Sequence, residues 1–110
     1  DFIDNWTREH FKLYLFIYAA QANHLESDEE IDLIHSRFKK EDINKVYNEV
    51  KKLNDYYRCQ IIINYLENNS YHQSELDDLL IEIKDIFTSD GKFDMVEKQS
   101  LYMLEKLLKA

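Results

Sequence analysis

The chain has 110 residues, 45% hydrophobic and 33% charged, with a formal net charge of −8 from 22 acidic and 14 basic residues. That composition fits one globular domain over 1–110, able to bury roughly two-thirds of its unfolded surface. The acidity argues against a nucleic-acid partner and an anionic membrane surface, and favours cations or basic protein patches.

One glycine and no proline favour long helices with short joints over a sandwich or barrel. Asp4 or Asn5 is placed to cap a first helix from about Trp6 to Gln21. Its second half, Leu13 to Ala20, is apolar nearly all round, which puts it in the middle of a bundle. A second helix starts at Ser27 with a capping-box pattern through Glu30, and buries Ile31, Ile34 and Phe38. A third opens on Glu41 and Asp42, closes on Lys51 and Lys52, and carries the stripe Ile43, Val46, Tyr47, Val50 and Leu53. A fourth follows Asn54-Asp55. The run Ile61-Ile62-Ile63 has strand propensity, but its flanks lack turn residues, so it reads as helix. Glu67 to Ser70 is the most polar loop. The fifth helix carries Leu76, Leu79, Leu80, Ile83, Ile86 and Phe87. The sixth begins at Asp94 and runs through Leu108. The expected fold is an all-α bundle of about six helices.

Cys59 is the only cysteine, which rules out an internal disulfide and fits a reducing, cytoplasmic compartment. It lies among apolar residues and reads as a small buried hydrophobe. The longest apolar run, Leu13 to Ala20, is too short to span a membrane, so no direct membrane insertion is expected. The chain begins at Asp1, which leaves open an upstream leader that has been removed.

The joint Ser89-Asp90-Gly91-Lys92-Phe93-Asp94-Met95-Val96-Glu97 holds the one glycine. It lies without a gap over Ala22-Asn23-His24-Leu25-Glu26-Ser27-Asp28-Glu29-Glu30. Asn23 answers Asp90, Ser27 answers Asp94, and Glu30 answers Glu97. Upstream, Phe16, Ala19 and Ala20 answer Ile83, Ile86 and Phe87. Two such units suggest a pseudo-repeated pair of helix-loop-helix units.

These residues resemble the TerB-like family, named for tellurite resistance. Its pattern is an apolar helix followed by Ala-Ala-x-Ala-Asp-Gly-x-x-Ser-x-x-Glu, with a second copy of the joint near the end. Tyr18 to Glu30 is similar to the first copy and Asp85 to Leu101 to the second. Trp6-Thr7-Arg8-Glu9-His10-Phe11 and Asn54-Asp55-Tyr56-Tyr57 are also similar to short bacterial members. The resemblance implies a bacterial, non-enzymatic stress-response or tellurite-resistance-type protein with a divalent cation at its acidic joints. It carries that role to Asp90, Glu97 and Glu30. Asn23-His24 stands where the family favours Asp-Gly, which removes a charge and the flexible residue from the first joint.

Read as a calcium-binding loop, Asp90 and Gly91 take positions five and six, Asp94 nine and Glu97 twelve. Ile86 then falls on position one, where a carboxylate is required, so a regular calcium loop is not expected. A water-rich calcium or magnesium site at Asp90, Asp94 and Glu97 remains, as does one shared with Glu29 or Glu30. Capping explains the same acids without a metal: Asp94 as N-cap, Glu97 as its capping-box partner, Asp90 bonding its own turn.

The five acids between Glu26 and Asp32 read first as a solvated helix start. His10, His24, His35 and His72 lack metal-ligand spacing, and only His24 sits in a joint. No phosphate loop, nucleophile elbow or dinucleotide fingerprint is present, so catalysis is the least favoured class. Two binding functions are expected instead: a weak divalent-cation site at the joints, or a metal-free adaptor that docks another protein on an acidic or aromatic face.

Overall fold

A computed structural model describes residues 2–21, 28–88 and 95–109. A 3-10 turn, Phe2–Asn5, precedes six helices: α1 (Arg8–Gln21), α2 (Asp28–Arg37), α3 (Lys40–Val50), α4 (Asp55–Asn68), α5 (Gln73–Phe87) and α6 (Met95–Lys109). No strand occurs among the described residues. Ile61 and Ile62 lie buried on α4, so packing decides the helix over local strand propensity.

The centre of the bundle is α1. Leu13, Tyr14, Leu15, Phe16, Ile17 and Ala19 are all 1% exposed or less. This helix packs against α2, α3, α4, α5 and α6, as its all-round apolar character demands. Fully burying one large apolar side chain is worth about 1.5–3 kcal/mol, so α1 is the main source of cohesion. Ile34 and Phe38, then Ile43, Val46 and Val50, then Leu76, Leu79 and Ile83, and finally Leu104 and Leu108 complete the same core. The Cα radius of gyration is 13.1 Å, the size of a compact chain of this length.

The helix starts show which local signals won. Neither Asp4 nor Asn5 caps α1. Both belong to the 3-10 turn, which the Trp6 N–H closes on the Ile3 carbonyl at 3.1 Å. That turn lets Trp6 enter the core at 6% exposure. Thr7 then caps α1 through a reciprocal pair. The His10 N–H donates to Thr7 Oγ1 at 3.2 Å, and the Thr7 N–H donates to His10 Nδ1 at 3.0 Å. A histidine here fills the role of the glutamate or glutamine of a capping box. Asn54 caps α4 by accepting from the Tyr57 N–H at 3.0 Å. At α5, Glu75 reaches back to accept from the His72 N–H at 3.0 Å. Lys39 precedes α3 without a side-chain cap, and α3 has its acids Glu41 and Asp42 in the first turn. The polar segment after α4 is shorter than expected, because that helix runs through Asn68.

Candidate functional site

Two of the acids expected at the second joint, Asp90 and Asp94, lie outside the described residues, as do Asn23, His24 and Ser27. Glu30 and Glu97 sit on α2 and α6, and their side chains lie outside the described set. Among the described residues, no group of three or more His, Cys, Asp or Glu is placed to hold a metal.

His10 is committed to structure. Its Nδ1 accepts from Thr7, and its Nε2 lies 3.1 Å from Asp42 Oδ1 on α3. Because Nδ1 accepts a backbone N–H, the neutral ring carries its proton on Nε2, facing Asp42. Cys59 is only half-buried, not a fully buried hydrophobe, and its Sγ is 3.2 Å from the Tyr18 hydroxyl. The Tyr14 hydroxyl donates to the Arg58 carbonyl at 2.7 Å. Burial pushes the Tyr14 and Tyr18 hydroxyls well above the usual tyrosine range, and Cys59 adds to the effect at Tyr18.

Most aromatics pack, as expected. Trp6 touches Phe2 and Tyr14, and Phe11 stacks on Tyr65 with centroids 4.2 Å apart. Arg8 lies over the Tyr71 ring at 4.1 Å while its guanidinium meets Glu75 and the Ser70 carbonyl. Among the described residues the exceptions are Tyr56, Tyr57 and Tyr102, all exposed.

The seam between α5 and α6 breaks the inside-outside pattern. Asp77, Leu80, Ile81 and Lys84 share one stripe of α5, at spacings of three and four residues. Leu101 and Glu105 come from α6, and the six line an open groove of about 320 Å³. Leu80, Ile81 and Leu101 make its lining largely apolar, and Asp77, Lys84 and Glu105 add charge. Ile81 is 61% exposed, while Ile83, two residues on, is fully buried. Elsewhere on α6, Met95, Tyr102 and Met103 are also exposed. The groove's charged residues are Asp77, Lys84 and Glu105, while Glu75, Glu82 and Asp85 of α5 pair instead with Arg8, Lys12 and Arg37.

Ile81 was recognisable in the sequence. It falls off the stripe formed by Leu76, Leu79, Leu80, Ile83 and Phe87, by roughly a third of a turn or more. A large β-branched residue on the far side of an otherwise well-patterned helix is the signal that core reasoning passes over.

No family model matches the chain, and no curated protein or solved structure matches it.

Proposed function

We propose that this chain is a non-catalytic binding module whose α5–α6 groove docks a basic amphipathic helix from a partner protein. The observation that carries this reading is Ile81, a large apolar side chain left 61% exposed in an open, largely apolar groove. A helix laid in such a groove inserts apolar anchors at i, i+3 or i+4. Asp77 and Glu105 at the groove and the net charge of −8 favour lysine and arginine on the partner's flanks. Lys84 at the rim fixes polarity by preferring an acid at one end of the ligand.

The sequence resemblance to TerB-like proteins supports a binding role, and a bacterial stress response is the setting that resemblance implies. The repeated joint pattern supports a second element, a weak calcium or magnesium site drawn from Asp90, Asp94, Glu97 and Glu30. Melting temperature with and without millimolar calcium or magnesium, against chelator, tests that element separately. A rise that disappears in Asp90→Asn with Glu97→Gln supports it; no rise removes it. A cytoplasmic site of action fits the single cysteine. No helix among the described residues is long and apolar enough to cross a membrane.

The docking reading is tested by fluorescence polarisation with a labelled amphipathic helical peptide of leucines and lysines. Saturable binding that weakens with salt is expected, with no binding of the same peptide carrying glutamate for lysine. Equal binding of the two peptides, or of neither, contradicts it.

A further inference from the structure

Met95, Lys98, Tyr102 and Lys106 recur along α6 at spacings of three and four residues, so they form one stripe of that helix. All four are exposed. The Lys106 ammonium lies over the Tyr102 ring, 4.6 Å from its centroid, so the two side chains meet along the stripe. Half of this row is apolar and half is basic. Apolar anchors two helical turns apart, flanked by lysine, are what the α5–α6 groove calls for.

The stripe also borders the groove. Lys98 stands three residues before Leu101 and Tyr102 three before Glu105, and residues at that spacing are neighbours on a helix. A chain cannot seat its own stripe in its own groove, because α6 forms one side of that groove. A second copy can. With groove and stripe side by side, a twofold axis brings each copy's stripe to the other's groove and makes every contact twice. The groove, about 320 Å³, is roughly twice the size of a cavity that takes one benzene, room for a tyrosine ring and a methionine side chain together. The signs match as well. Asp77 and Glu105 outnumber Lys84 at the groove, and the stripe brings two lysines. The whole-chain charge of −8 repels a second copy, so this local match works against it and the association is weak.

We infer that this chain associates with itself as a twofold dimer, in which Tyr102 of each copy seats against Ile81 in the other's α5–α6 groove. Such a dimer rests on the docking reading of the groove and makes a second copy of the chain the partner.

Sedimentation equilibrium from micromolar to millimolar chain measures the association, and a monomer–dimer equilibrium is expected. Ile81→Ser and Tyr102→Ser each damage both symmetric contacts and should weaken it by about tenfold or more. Both side chains are exposed, so dilute samples of either variant should melt at the native temperature. An equal mixture of the two variants should associate more tightly than either alone, because the mixed pair keeps one intact stripe-to-groove contact. A dimer that survives Ile81→Ser or Tyr102→Ser overturns the inference, as does a mixture that associates no better than its components. A chain that stays monomeric throughout overturns it too. If that monomer still binds the leucine-lysine peptide, the docking reading of the groove stands; if it does not, both fall.

Discussion

Helix α1 and the α5–α6 seam are both rich in apolar side chains, and they treat them in opposite ways. Along α1, Leu13 to Ile17 are buried without exception. At the seam, Ile81 stands 61% exposed beside half-buried Leu80 and Leu101. Packing accounts for the first set completely, because α1 packs against all five other helices. It does not account for the second. Single exposed apolar residues are ordinary, but Ile81 beside half-buried Leu80 and Leu101 in one groove is the observation on which the docking proposal rests.

The largest expected effect lies on the α1 side. Phe16→Ala should lower unfolding free energy by about 3–5 kcal/mol in urea denaturation, because the surrounding helices cannot close the cavity. The sharpest test lies within α5. Ile83→Ala should cost about 2–5 kcal/mol, whereas Ile81→Ala should stay within about 0.5 kcal/mol. Similar losses for the two would mean that the seam is core after all.

The buried tyrosines give an alkaline test. Tyr14, Tyr18 and Tyr71 all have hydroxyls raised above the usual value, chiefly by burial. Above about pH 10 the unfolded chain releases these protons while the native protein keeps them, so stability falls as pH rises. Tyr14→Phe should flatten that alkaline limb, at the cost of leaving the Arg58 carbonyl without its donor. A limb of unchanged slope would contradict the burial of Tyr14.

Smaller effects belong to the helix starts. Asn54→Ala removes the acceptor for the Tyr57 N–H and should cost about 1 kcal/mol. Glu75 is held below the usual carboxylate range, first by the His72 N–H and then by Arg8. Its contribution is therefore present above the unfolded carboxylate value and is lost as pH falls through the lower folded one. Glu75→Gln should remove that share of the acid sensitivity, seen as a shallower acid limb in pH-dependent melting.

Much of the bundle was legible in the sequence. The apolar character of Leu13 to Ala20 gave the central helix, and the spacing of Ile43, Val46 and Val50 gave the buried face of α3. The start of α1 was not legible, because the Thr7–His10 pair caps through an imidazole rather than through the usual glutamate or glutamine. Cys59 looked like a core residue from its apolar neighbours, yet only its three-dimensional pairing with Tyr18 locates it at half-burial. The joint acids Asp90 and Asp94 lie outside the described residues, so their choice between cap and cation ligand rests on sequence pattern alone. Ile81 shows a general blind spot. Periodicity finds the face that a helix buries, and a docking face reveals itself only as residues that fail to fit that period.

The central claim is that the α5–α6 seam is a docking surface. It is tested most directly by measuring the affinity of the leucine-lysine helical peptide for the native chain and for Ile81→Ser, with melting temperatures measured on the same samples. The account predicts a loss of about tenfold in affinity, the scale of one apolar anchor, with the melting temperature essentially unchanged. Unchanged affinity would contradict it, as would a loss that merely follows a fall in melting temperature.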